Sequence, residues 1–473
     1  MPLPSLLLSL VSLSVPTAFP TAEPEQTVPT HVPHHFSAPL ARGILSESSP
    51  SLCDPRVTQF SGYFHLSTSR PLAGKNYFYW FFEARSKPAT APLVLWMTGG
   101  PGCSSEVALF GENGPCAVNQ EGNETVPNPH SWNNEANLLY IDQPAGTGFS
   151  YGLGLDHDES EVAEDMYAFL QAFFRAHPEY ESNDFFVFGE SYAGHYVPAV
   201  SHRVWQRNKA LAPGVVPINL KGIGIGNGLT EPSIQYRYYK DMAVSTNHHA
   251  PAVGKLTHAA MTVITPICIL AIKACQAPGS NTTTCLSAIE VCNAGLLIPY
   301  TATGLNPYDM REKCAKPPLC YDFSNVATYL SRPEVKIALG VDQKRGWQDC
   351  NRVVTLGFEL SGDWLADFEK LIPEQLADGI RVLIYAGDQD YICNWLGNQA
   401  WVRALDWTGQ ADFNAAPLKN WTLSDGTVAG TLQVRLDATI PIHGQGRLLA
   451  DTCDRPCLGY PQRLSKQSPV RFD

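Results

Sequence analysis

The stretch of this sequence best suited to covalent chemistry is a serine set between two glycines, Gly189-Glu190-Ser191-Tyr192-Ala193-Gly194. An apolar run, 185–188, precedes it and a helix-like segment follows Gly194, so the spacing predicts a buried strand, a sharp turn at Ser191 and then a helix. Small residues on either side let such a turn tighten until the hydroxyl stands above a sheet. A serine placed this way attacks a carbonyl carbon when three further parts are at hand. These are a base to take its proton, a carboxylate to orient the base, and N–H donors for the oxyanion that develops. Two glycines around a serine also occur by chance, so the rest of the chain has to supply the parts.

Several of them are present. An apolar strand at 92–97 ends in Thr98-Gly99-Gly100-Pro101-Gly102-Cys103-Ser104-Ser105, and glycines directly after a strand let backbone amides approach a ligand closely. An ordinary glycine turn would read the same. Downstream, a strand at 381–385 leads to Gly387-Asp388-Gln389-Asp390. A carboxylate at the end of a strand after the serine fits the order Ser, Asp, His. Asp388 and Asp390 both qualify, and an aspartate after glycine commonly just shapes the turn.

The elements that must position these groups alternate as in an α/β protein. An aromatic hairpin is expected over 62–66 and 76–83, a strand over 137–142, a helix over 159–176, the strand before Ser191 and another strand over 218–228. This order predicts a mostly parallel, doubly wound sheet of the α/β-hydrolase class. From about 230 to 330 the alternation stops. Cys268, Cys275, Cys285 and Cys292 are symmetrically spaced there, which points to nested bridges in a helical hairpin, although three connectivities are possible. An insertion of this length is expected to cap the site.

Composition narrows the class. A chain of 473 residues, 44% hydrophobic, can bury one large core. The net charge of -12 and the lack of a long basic run exclude nucleic acid and anionic membranes as expected partners. Residues 1–22 read as a signal peptide, 23–56 as a flexible or pro-segment, and 57–473 as the folded domain. No membrane anchor is expected, because the longest later apolar stretch, 262–274, is short and contains Pro266 and Lys273. Thirteen cysteines, an odd number, fit an oxidising compartment and leave at least one thiol unpaired within the chain. No spacing points to zinc or another metal, and no cofactor is implied. Asn123, Asn281 and Asn420 are glycosylation acceptors by motif.

Four long motifs then identify a family. The segments 96–105, 142–151, 189–198 and 385–397 resemble those of the serine carboxypeptidases of the carboxypeptidase Y type, over roughly 59–430. The resemblance implies Ser191 as nucleophile, Asp390 as the residue that orients the histidine, and the amides of Gly100 and Tyr192 as oxyanion hole. It implies recognition of a substrate's terminal carboxylate by Glu190, the Gly99 amide and position 98, where the family's Asn is here Thr98. A carboxyl group beside a carboxylate binds it only when one holds a proton, hence an acidic pH preference. The resemblance further implies the pairs Cys103–Cys350, Cys268–Cys292, Cys275–Cys285 and Cys314–Cys320, with Cys393 a free thiol near the site. Cys53, Cys116, Cys453 and Cys457 stay unassigned.

One part departs from the pattern. The family's Gly-His-Met-Val-Pro segment is absent, and from about Val434 the tail looks unrelated, as a shifted reading frame or retained intron would make it. His443 is the sole histidine after Asp390. His195, inside the helix after the serine, reads as a packed or hydrogen-bonded histidine. The expected function is release of C-terminal amino acids from peptides or proteins through an acyl-enzyme, in the secretory pathway, either secreted or in a vacuolar lumen. The competitors are an acyltransferase on the same scaffold and an inactive member lacking the histidine. Oligomeric state is not legible.

Overall fold

The computed structural model describes residues 43–66, 74–244, 250–317, 319–422, 426 and 428–434. Its strands are β1 (Ile44–Ser48), β2 (Gln59–Leu66), β3 (Lys75–Phe82), β4 (Leu93–Thr98), β5 (Cys116–Val118), β6 (Thr125–Pro127), β7 (Asn137–Ile141), β8 (Tyr151–Gly152), β9 (Phe185–Glu190), β10 (Leu220–Gly226), β11 (Arg381–Tyr385), β12 (Lys419–Thr422) and β13 (Val428–Leu432). Nine form one sheet in the order β1-β2-β3-β7-β4-β9-β10-β11, with β8 beside β3. The expected hairpin is β2 with β3, antiparallel in full register. From β7 across to β11 every neighbouring pair is parallel, and this half carries the site. The fold is the expected α/β-hydrolase.

Strands β4 and β9 are apolar without alternation because both of their faces are covered. Successive side chains of a strand point to opposite faces. Leu93, Leu95, Met97, Phe185 and Val187 accordingly pack with Val162, Met166, Phe169 and Phe173 of the helix Glu159–Ala176 and with Val197 and Val200 of the helix Ala193–Lys209. Val94, Trp96, Phe186 and Phe188 enter a second cluster with Leu109, Phe110, Tyr329 and Leu330. Asp158 starts the first of these helices, its carboxylate accepting from the amides of Ser160 and Glu161.

In the insertion, the helices Lys255–Gln276 and Thr282–Cys292 lie side by side, joined by Cys268–Cys292 around Cys275–Cys285. This is the nested connectivity. Pro266 and Lys273 do not end the first helix, which runs well past 262–274 and, by length and composition alone, could cross a membrane. Its outward Leu256, Val263, Ile267 and Leu270 are exposed. The pairs Cys103–Cys350 and Cys314–Cys320 are present, and Cys393 is free and buried.

One finding differs from the sequence reading and another fills a gap in it. Folded structure begins before 57, since β1 pairs antiparallel with β2 and its Glu47 accepts hydrogen bonds from the Tyr79 hydroxyl at 2.5 Å and His177 Nε2 at 2.7 Å. Cys53 also pairs with Cys116. A short polar edge strand in a Pro- and Ser-rich stretch lacks the apolar alternation that marks a strand. The signal-peptide segment 1–22, Cys453, Cys457 and the tail with His443 lie outside the described residues.

Cys103–Cys350 spans 247 residues of sequence and Cys314–Cys320 only 6. Loop-closure entropy grows with the logarithm of loop length, so serines at 103 and 350 should cost about 3 kcal/mol more stability than serines at 314 and 320. Calorimetric melting of the two double variants checks this, and equal melting temperatures would contradict it.

Candidate active site

Ser191 sits at the end of β9 with φ +64°, the left-handed region that side chains other than glycine rarely adopt. Three main-chain hydrogen bonds hold it there: Ser191 N–H donates to Gly226 O at 3.0 Å, and Ser191 O accepts from Gly194 N–H at 3.0 Å and from Leu229 N–H at 2.9 Å. The flanking glycines are steric requirements. A Cβ at Gly189 would stand 2.4 Å from Met97 O, and one at Gly194 would stand 2.3 Å from Leu229 O. The turn is thus wedged between the ends of β4 and β10, and the helix Ala193–Lys209 leaves directly from it.

The glycine loop after β4 meets the turn from the other side. A Cβ at Gly99 would lie 2.4 Å from Tyr192 N, so the 99–100 segment lies against the Tyr192 amide. Gly100 has φ +113°, open to glycine alone among ordinary residues. The loop is tied down by Ser105, whose hydroxyl donates to Ile141 O at 2.7 Å and whose amide donates to Asp142 Oδ1 at 3.1 Å. Asp142 Oδ2 also accepts from Phe149 N–H at 2.8 Å. The 142–151 motif is therefore a brace under the glycine loop.

Of the two aspartates considered, Asp390 has a carboxylate bonded to neighbours of the turn. Its Oδ2 accepts from Asn227 Nδ2 at 3.0 Å, and its Oδ1 accepts from the amides of Ile392 at 2.8 Å and Cys393 at 3.1 Å. The Cys393 thiol adjoins the Ser191 side chain, and burial pushes its pKa up. Asp390 and Ser191 therefore share Cys393 as a neighbour. Burial, then the nearby Glu190, push the Asp390 carboxyl up to about 7. Asp388 is buried and accepts from Gln389 Nε2 at 2.9 Å. His195 is fully buried, and its Nδ1 donates to Leu229 O at 2.6 Å. Burial pushes it down to about 3, so it stays neutral and braces the turn from behind.

Glu190 has a partner the sequence reading missed. Its carboxyl shares a hydrogen bond with that of Glu112, and both are raised by burial, with Glu112 raised further by the charge of Glu190. Two carboxyl groups this close retain a proton between them, which turns the pair into a hydrogen-bond donor. Glu112 follows the short helix Glu106–Gly111, carries no motif and lies far from Glu190 in sequence, so spacing could not have found it. Thr98 closes the same corner at the end of β4. Its hydroxyl accepts from Trp96 Nε1 at 3.1 Å and its amide donates to Ser105 Oγ at 3.2 Å.

A family model described as serine carboxypeptidase matches residues 50–442. The serine carboxypeptidase-like 49 protein of Arabidopsis thaliana is 44% identical over 394 residues, covering 82% of this chain and 72% of that protein. Carboxypeptidase Y of Candida albicans is 38% identical over 397 residues, covering 83% and 70%. The crystal structure of Kex1(delta)p, a prohormone-processing carboxypeptidase from Saccharomyces cerevisiae, superposes with a TM-score of 0.72 at 25% identity, covering 84% of this chain and 90% of that one.

Burial holds several carboxyls far above their ordinary range: Asp165 at about 6, and Asp363, Asp390 and Glu369 at about 7. Each binds its proton more tightly folded than unfolded, so between pH 4 and 7 the native state carries the extra protons and stability falls as pH rises. The melting temperature should therefore be higher at pH 5 than at pH 8. A melting temperature that climbs from pH 5 to pH 8 would refute this.

Proposed function

This chain belongs to the serine carboxypeptidase family, and from that premise we propose that it releases single amino acids from the C-terminus of peptides through an acyl-enzyme on Ser191. The observation that carries the reading is the meeting of three parts at one turn. They are the strained Ser191, the Gly99–Gly100 backbone packed on the Tyr192 amide, and the proton-sharing pair Glu190 and Glu112.

In the proposed reaction, Ser191 Oγ attacks the last peptide carbonyl and the amides of Gly100 and Tyr192 take up the negative charge on its oxygen. Two such donors fixed in advance each lower the barrier by a few kcal/mol. The terminal carboxylate is received by the Glu190–Glu112 pair, the Gly99 amide and Thr98. Asp390 orients the histidine that accepts the serine proton and returns it to the leaving amine. His195 does not fill that role, because its ring is enclosed and held by Leu229 O. His443 is the histidine left downstream of Asp390. The insertion with the nested bridges acts as a cap that limits which peptides reach the turn.

Five disulfides among the described residues mark a protein of an oxidising compartment outside the cytosol. We place it in the secretory pathway, secreted or in a vacuolar lumen, where the acidity would keep the Glu190–Glu112 proton in place. As pH rises the pair loses that proton and repels the substrate carboxylate, so KM should rise toward neutral pH. Glu112→Gln supplies a donor that cannot titrate and should flatten that rise.

The test uses an N-blocked dipeptide. The protein should release the free C-terminal amino acid at pH 5, and Ser191→Ala should lower kcat by at least about a thousandfold. Amidation of the substrate's C-terminus should raise KM sharply. Failure of an organophosphonate to label Ser191 would mean that the serine is not activated and that the chain is an inactive member.

A further inference from the structure

The side chain of Tyr192 runs away from the turn into the protein, and what holds it there lies far along the chain. Its ring is stacked between His195, at 4.4 Å between centroids and 8° between planes, and Trp364, at 5.4 Å and 30°. Phe358 and Tyr196 meet it edge-on. At the far end the phenol donates to Asp363 Oδ1 at 2.5 Å. The other oxygen of Asp363, Oδ2, accepts from the Glu159 amide at 3.0 Å, at the start of the helix Glu159–Ala176. Both Asp363 oxygens are therefore used, and the carboxylate joins the start of that helix to the residue after the nucleophile.

We propose that Asp363 is a positioning residue for the reaction at Ser191: by gripping the Tyr192 phenol it fixes the main-chain N–H of Tyr192 that receives the oxyanion. This rests on the peptidase reading above. The physical reason is leverage. A tyrosine clamped by two ring faces and one hydroxyl bond cannot rotate about its Cα, so its amide stays within the few tenths of an ångström over which an oxyanion donor is effective. The Gly99 backbone, in contact with that amide, leaves it no room to move the other way.

The surroundings fit a built device more than a packing accident. Asp363 is buried, burial pushes it up to about 7, and the groups facing it are Glu159, Asp158 and the Tyr192 phenol. Glu159 is also buried, both of its carboxylate oxygens lack a hydrogen-bond partner, and burial followed by the charge of Asp363 raises it well above its ordinary range. Glu159 and Asp363 line a cavity of about 390 Å³ together with Asp158, His202 and Arg203. The turn that carries Asp363 follows Gly362, where a Cβ would stand 2.8 Å from Cys285 Sγ, and Gln276 Nε2 donates to Leu365 O at 2.8 Å. The inner disulfide of the insertion thus backs the loop that holds the tyrosine.

The experiment is a double-mutant cycle on the full chain with Tyr192→Phe, Asp363→Ala and the pair. It reads kcat, KM, the rate of Ser191 phosphonylation, and hydrogen exchange of the peptide spanning 189–196. Tyr192→Phe keeps the ring stack and removes only the hydroxyl. Each single variant should lower kcat and the phosphonylation rate about tenfold with KM within about twofold, and the double variant should be no worse than the worse single one. Amide exchange at the turn should rise in all three. Unchanged kcat in Tyr192→Phe, or losses that multiply in the double variant, would overturn the proposal. If the unmodified protein is neither active nor labelled, the peptidase reading fails by itself, and exchange alone decides the grip: faster exchange in Tyr192→Phe supports it and unchanged exchange overturns it.

Discussion

The structure depends on one backbone angle. Holding Ser191 at φ +64° costs on the order of 1–3 kcal/mol and persists only where the surroundings over-determine it. Here they do so from three directions. Gly226 and Leu229 bind its amide and carbonyl from the β10 side, Met97 O excludes any side chain at 189, and Gly99 lies on the next amide. Relaxing the angle would turn the hydroxyl away from the loop and move the Tyr192 N–H off the same spot. The proposed nucleophile and one proposed oxyanion donor are therefore set by a single strained turn.

Such a turn needs a stiff frame, and the frame comes from remote parts of the chain. The parallel strands β4, β9 and β10 place the three loop ends side by side. Cys103–Cys350 fastens the glycine loop to a segment distant in sequence, Asp142 braces it from beneath, and Asp363 holds the tyrosine behind the turn. Each brace acts on backbone next to a proposed reacting group without itself being one.

Much of this was legible in the sequence, for identifiable reasons. Glycine spacing at 189 and 194 marks a turn because no other residue fits beside Met97 O and Leu229 O. The uninterrupted apolar strands reflect burial on both faces, and the symmetric cysteines of the insertion pair as their spacing indicated. The illegible parts depend on contacts between distant segments with no local signature. Strand β1 is short, polar and at an edge, and Glu112, Glu159 and Asp363 are single acidic residues whose importance arises only from what folding brings next to them. Spacing alone left Asp388 and Asp390 equal and only the family resemblance favoured Asp390, because the Asn227 and Cys393 contacts of its carboxylate come from folding.

The acidic residues give the turn a further constraint. Three carboxyl pairs surround the turn. Glu190 with Glu112 lies at the proposed substrate end, Glu106 with Asp142 beneath the glycine loop, and Glu159 with Asp363 behind Tyr192. In each pair burial raises both groups, and the partner's charge raises one of them further, Glu112, Asp142 and Glu159 in turn, so that member holds its proton more tightly than an isolated carboxyl would. Buried like charges without that proton would repel across the segments they now join, loosening the glycine loop and the tyrosine together. Low pH would keep all three pairs protonated at once, so the condition under which the proposed site would accept a carboxylate is the same one that would keep its frame closed.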